Sequence, residues 1–334
     1  MTTTTYGQVG VREDLSDAIY NIAPTDTPYT SAVQKGKKAS NRVIEWQNDT
    51  LATDDGSIAV IEGADATDRT FTATSRLKNH THLMDRAIKL SDAADEVTAA
   101  GRDTETGLQV MKRTKELKRH MENRLCGNWA SDDGSALTAR QCAGFLGWIT
   151  SNDNRGTAGG TDGTQGGYNS GTGIVSAATD GTGTSLRTFT ETLFKGRVKA
   201  CWEEGGEDSI VLMNSGNKQT LSSFSGVATK YNIVDKNTRS NEIVGAVDLY
   251  ASDFGVKKAV PSRFVGGRAG GNNRDHDIIG LDPKLWSIHN LQPFSVGPLA
   301  RVGHANRKLL KVEFSQASRN EKGNWCITEI NEAL

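Results

Sequence analysis

Long apolar runs are missing from this chain. No stretch approaches the ~18 residues that a membrane-crossing helix requires, so no membrane partner is expected. Charge of one sign is missing too. Thirty-nine Lys and Arg stand against 40 Asp and Glu, a formal net charge of -1, so no overall basic field points to nucleic acid as a specific ligand. Proline is scarce, with six in 334 residues, whereas glycine reaches 36; that balance favours flexible excursions over rigid linkers. Hydrophobic residues make up 36% and mean hydropathy is -0.50, so the core should be thin for the length. The four cysteines, Cys126, Cys142, Cys201 and Cys326, form no C-x-x-C and have no histidine at zinc-finger spacing. Reduced, mostly buried thiols of a protein assembled in the cytoplasm are expected. Met1 to Tyr6 carries neither a basic region nor an apolar core and does not read as a signal peptide.

Catalytic signatures are also absent. There is no H-E-x-x-H, G-x-S-x-G, Walker loop or kinase set, and Asp162 and Asp180 lack calcium-loop spacing. His80 and His82 alternate on a predicted strand and would share a face. Without a third ligand they read as solvated or structural histidines. The doublet Glu203-Glu204 closes a predicted helix and reads as a solvated end. No catalytic residue, metal or other cofactor is expected.

What is present begins with a long charged helix, read over about 92–129. Val110, Leu117, Met121, Leu125 and Trp129 recur at helical spacing as one narrow apolar stripe. Acids lie near its start and bases near its end, as the helix dipole prefers, and Gly127 is a candidate C-cap. Taken alone, the stretch fits either a surface helix of an α/β domain or a strut across a broad, thin molecule. Lys112, Arg113, Lys115, Lys118 and Arg119 form a basic run with interleaved glutamates, which suits ion pairing better than a nucleic-acid groove.

Residues 1–50 read as an arm. A short amphipathic helix carries Leu15 and Ile19, with Ile22 one turn on, and Pro24 and Pro28 break it. Tyr29 and Val33 make a second apolar patch, and Ile44 and Trp46 share a face of an extended piece. Such elements need another surface, in this chain or a neighbour. Residues 51–90 read as a long hairpin: Ser57 to Ile61 extended, a polar tip, and Phe71 to Leu77 returning by alternation. Two strands alone are marginal in water. Ten glycines fall between Gly156 and Gly183, so 151–187 reads as a Gly/Thr-rich flexible insertion. Beyond it, a helix from Thr190 to Glu203 buries Leu193, Phe194, Val198, Cys201 and Trp202. Ile210–Met213 reads as a buried strand, and Asn214 or Ser215 as the cap of a further helix. Strands then follow to a two-faced one, Leu310, Val312 and Phe314 against Lys311 and Glu313.

A strut, an arm, an outreaching hairpin and a mixed α/β unit without a catalytic constellation describe a building block. At the level of particular stretches, the chain resembles tailed-phage major capsid proteins of the HK97 fold, in the family typified by the phage SU10 capsid protein. The stretches are Leu15–Lys38, Arg42–Ala52, Lys115–Asn128, Thr138–Ile149, Val211–Gly226, Val244–Phe264 and Leu281–Asn320; the insertion 151–187 is the least family-like part. The resemblance implies an α+β, HK97-like fold. Residues 1–50 would be the N-terminal arm, 51–80 the E-loop and 81–150 a peripheral domain with its spine helix at 92–129. Residues 188–304 would be mainly the axial domain, and 305–334 a return to the peripheral domain. It further implies hexamers and pentamers tiling a viral head around double-stranded DNA. Expected partners are further copies, a portal protein, non-specifically contacted DNA, and cement or scaffolding proteins. Inter-subunit contact candidates are Leu15, Ile19, Ile44, Trp46, Ile58, Val60, Ile61 and Phe71. No lysine lies between Leu51 and Leu77, so the lysine–asparagine cross-link of some relatives is not expected. Nor is a removable N-terminal scaffolding segment, because the arm begins within the first ~15 residues. The alternatives are an encapsulin-type compartment, which would enclose cargo protein instead of DNA, and an α/β enzyme, which would be a compact monomer or dimer with a deep polar pocket.

Overall fold

A computed structural model describes residues 26–51, 59–65, 73–97, 104–156, 159–181, 186–224, 249–266 and 277–331. Helix α1 (Pro28–Ala32) and strand β1 (Gln34–Lys35) lead to β2 (Val43–Asn48). Strands β3 (Ser75–His80) and β4 (His82–Ser91) run into the short helix α2 (Asp92–Glu96). The longest helix, α3, spans Glu105–Cys126, and α4 is one turn, Phe145–Trp148. Four short strands follow: β5 (Asp153–Asn154), β6 (Gly167–Asn169), β7 (Ile174–Ser176) and β8 (Arg187–Thr188). Helix α5 (Glu191–Glu203), β9 (Ile210–Met213) and α6 (Ser215–Ser223) come next. The chain then forms β10 (Leu249–Ser252), β11 (Gly255–Pro261), β12 (Ile278–Leu281) and β13 (Trp286–Pro298). It ends in β14 (Ala305–Ser318), β15 (Trp325–Ile327) and β16 (Ile330–Asn331).

Two sheets organise these elements. The first has the order β1-β13-β14-β4 and the second β10-β11-β9-β12-β15-β5. Helix α3 lies on the first. Its start is capped by the Thr104 hydroxyl, which accepts from Gly107 N at 3.1 Å. Leu117, Met121 and Leu125 are buried as the spacing predicts; Leu117 meets Ile88 of β4 and Leu310 of β14. Trp129 lies half-buried past the helix end, its ring 4.9 Å from the Arg124 guanidinium. In the second sheet, α5 buries Phe194, Val198 and Cys201 against Val211, Met213, Tyr250 and Trp325. The central strand β9 is buried, and the Asn214 side chain caps α6 by accepting from Asn217 N at 3.0 Å.

Several expectations change. The spine does not begin at Asp92: β4 still pairs at Ser91, α2 stops at Val97 in extended backbone, and α3 starts afresh at its Thr104 cap. Residues 98–103 lie outside the described residues. Gly127 does follow α3 as its C-cap, though in extended backbone at φ -89° and ψ -178°. Pro28 starts α1, since its missing N–H is harmless in a first turn; the helix expected before it lies outside the described residues. Trp202 is exposed, its ring tilted against that of Phe254 at 5.1 Å. Glu313, expected on a solvent face, is buried: Thr81 Oγ1 donates to it at 2.7 Å and Arg140 pairs with it. The insertion holds order among its described residues. Its β6–β7 hairpin buries Val175 and stacks Tyr168 on Trp148 at 5.8 Å. Tyr168 and Val175 anchor it, a signal the averaged composition hid. The end of the chain divides, with β14 in the first sheet and β15 in the second.

Candidate functional site

The described part of the arm is tied down. Helix α1 presents the N–H groups of Tyr29 and Thr30 to the buried carboxylate of Glu122 on α3, at 2.6 and 2.9 Å, and Thr30 Oγ1 donates to the same group. The carboxylate thus caps α1 from another element, in place of Thr27, whose side chain makes no cap. Burial raises the Glu122 pKa; the Thr30 and Tyr29 donors oppose that rise. Tyr29 is fully buried, edge-on to Phe145 at 5.9 Å, and its hydroxyl donates to Gln316 Oε1 at 3.0 Å. The Tyr29–Val33 patch therefore finds its surface within this chain.

The hairpin is rooted differently. Strand β3 pairs antiparallel with β2, from Val43↔His80 to Asn48↔Ser75, not with Ser57–Ile61. Residues 59–61 are no strand, and 57–58 lie outside the described residues. Trp46 is half-buried with its ring 5.5 Å from Trp148, so it anchors the hairpin on its own chain. Ile44 is half-buried on β2. Beyond this root the chain leaves the core: Leu51 is 98% exposed, Val60 78% and Ile61 83%. Leu15, Ile19, Ile58 and Phe71 lie outside the described residues. A second apolar face went unnoticed in the sequence. The β10–β11 hairpin, at the edge of the second sheet, exposes Leu249, Ala251 and Val256 on one side. Alternation with the buried Tyr250 was the available signal.

The titratable groups serve the fold. His80 is buried with Nδ1 3.3 Å from Asp133, and burial holds its pKa down against that carboxylate. His82 lies beside Phe314, ring to ring at 5.7 Å; burial, then Arg124, push its pKa down to about 3. The two histidines thus have different surroundings, and no group of three or more metal-ligating side chains occurs among the described residues. All four cysteines are free and buried. Burial pushes Cys201 up to about 12 and Cys326 to about 11, so neither is a ready nucleophile. Asp208 and Lys257 form a buried ion pair, and Trp325 Nε1 donates to Asp208 at 2.5 Å. Among the described residues, no helix is long and apolar enough to cross a membrane.

Known proteins match this arrangement. The model of the SU10 major capsid protein family matches residues 1–331. A major capsid protein of Escherichia phage Phieco32 is 34% identical over 129 residues, 38% of this chain; the match spans only 36% of that relative's length. Among solved structures, the capsid of the native GTA particle has a TM-score of 0.62 at 12% identity, covering 99% of this chain and 100% of that one. Gordonia phage Cozz gives 0.58 at 13%, covering 96% and 91%. The capsid of cyanophage P-SCSP1u gives 0.58 at 10%, covering 99% of both chains. At such identities the structural likenesses speak to the fold, which is the HK97-like α+β fold of phage capsids.

Proposed function

Because the chain belongs to the SU10 major capsid protein family, we infer that it builds the viral head by closing into hexamers and pentamers around double-stranded DNA. It is a phage major capsid protein, a structural subunit of the virion shell. In this reading the first sheet with α3 is the peripheral domain, entered from an arm within 1–50 and an E-loop within 51–80. The second sheet is the axial domain near the capsomer centre. Contacts between unlike surfaces close into rings when the rotation permits.

The observation that carries the reading is the hairpin beyond Trp46, which holds Leu51, Val60 and Ile61 out in water while the cores lie elsewhere. Covering Val60 and Ile61 with an adjacent subunit would stabilise by about 1.5–3 kcal/mol each. Near-neutral charge suits a container wall, since a strongly basic lining would hold phosphates and hinder release. The shell would do no catalysis and need no cofactor. It would assemble in the host cytoplasm, and portal, cement or scaffolding proteins would be its other partners. The test is negative-stain microscopy and sedimentation of the purified chain. Ring capsomers or megadalton shells are expected, lost when Val60→Asp and Ile61→Asp are combined; a monodisperse monomer at assembly concentrations would refute the reading.

A further inference from the structure

Between α3 and α4 the chain turns out into solvent and back. Asp132 and Gln141 exchange backbone hydrogen bonds at 2.9 and 3.0 Å, and Ser135 N donates to Thr138 O at 2.9 Å. Asp132 Oδ1 accepts from Gly134 N at 2.7 Å, and Ser135 Oγ accepts from Leu137 N and Thr138 N at 3.2 and 3.1 Å. Gly134 sits at φ +75°, and a Cβ there would fall 2.7 Å from Arg140 N, so only glycine fits. At the tip of this bonded turn Leu137 is 99% exposed. A lone exposed leucine is ordinary on a protein surface. One whose backbone is already fixed is a preformed knob, because little ordering remains to oppose its burial.

The subunit also carries a hollow that its own knob does not fill. A groove of about 830 Å³ runs between α1, β1, α3 and β13. Its floor is apolar, including Val33, Ile288 and the partly exposed Phe294, and Lys35, Lys38 and Lys118 stand in its walls. No carboxylate is among the described residues that line it. The turn has the opposite character. It carries Asp132 and Asp133, and its one cation, Arg140, is paired with the buried Glu313. Lysine walls attract such a turn and repel a basic one. The placement fits as well. The first sheet runs β1-β13-β14-β4. The turn lines one pocket with Leu83 of β4, whereas the groove opens over β1 and β13. Knob and groove thus stand at opposite edges of one sheet, the arrangement by which identical subunits join head to tail and close a ring. We propose that Leu137 of one copy seats in the lysine-walled groove of the next.

The proposal rests on the shell reading, and its test separates the two. The full chain carrying Leu137→Cys and Phe294→Cys is assembled and treated with a short bis-maleimide; the native cysteines are all buried. A ladder of covalent multimers on a denaturing gel is expected, absent when either substitution is present alone. A product linked only within one chain, or intact shells without any link, overturns the proposal while leaving the shell reading in place. Failure of the unmodified chain to form shells or capsomers overturns the shell reading and the proposal with it. Two variants check the chemistry. Leu137→Lys would set a charge on the apolar floor among like charges and should lower shell yield roughly tenfold or more. Leu137→Met should keep it. At 99% exposure the side chain adds little to its own subunit, so neither variant should lower the subunit's unfolding midpoint. Undiminished shells with Leu137→Lys, or an equal loss with Leu137→Met, would sink the proposal.

Discussion

Replacing Glu122 with alanine tests how the arm is held. The carboxylate satisfies two backbone N–H groups and one hydroxyl at the start of α1. Removing it leaves those donors without a partner, at about 1–3 kcal/mol each if they stay dry. It also removes the cost of burying a charge, which the raised pKa records. The net loss should be about 2–4 kcal/mol. Against it stands Tyr29, whose burial contributes about 4–6 kcal/mol at some 150–250 Å² for an aromatic side chain. Apolar burial therefore wins on average: α1 stays docked but opens more often. At 1.4 kcal/mol per tenfold, its amides should exchange with solvent roughly 30- to 700-fold faster. Hydrogen exchange read by mass spectrometry would localise the change to 27–33, with β9 and β12 unaltered. Glu122→Gln keeps one acceptor and should give a smaller acceleration. Unchanged exchange in Glu122→Ala would show that Tyr29 alone holds the arm and that the carboxylate clamp is incidental.

Two further perturbations follow. His82 has a folded-state pKa of about 3 against an ordinary 6.5, so the unfolded chain binds more protons between those values. Its contribution to stability is complete above pH 6.5 and is lost as pH falls toward 3, by up to about 1.4 kcal/mol per unit. His82→Gln should flatten that decline in unfolding curves recorded from pH 7 to 4, and an unchanged slope would refute the assignment; Glu122 works in the opposite sense, its raised pKa favouring the folded state as pH falls. Gly280 and Gly196 offer a paired test: a Cβ at Gly280 would fall inside the buried Trp325 indole, whereas one at Gly196 on α5 meets nothing within 4 Å. Gly280→Ala should destabilise by about 1–3 kcal/mol or more and Gly196→Ala should stabilise by about 0.5–1 kcal/mol, both read from unfolding midpoints.

Local periodicity made much of this fold legible. The stripe Leu117, Met121, Leu125, the helix ending at Glu203, the buried run at Ile210–Met213 and the cap at Asn214 are all short-range patterns, and all appear in the structure. Glu313 and Trp202 were misplaced because burial follows the partner across space, and Arg140 lies 173 residues from Glu313. The hairpin's exposed Val60 and Ile61 were named from the sequence, but Trp46 turned out to root the hairpin on Trp148.

By itself, then, the order of residues determined where the stripe of α3, the helix α5 and the strand β9 lie, and the family to which the chain belongs. Tertiary structure decided which apolar patches are already covered. The Tyr29 patch and Trp46 are spent within the subunit, whereas Leu51, Val60, Ile61 and the outer face of β10–β11 are left over. The reason is physical. Hydrophobicity belongs to a residue, but exposure belongs to the pairing of surfaces distant in sequence, and no period along the chain encodes it.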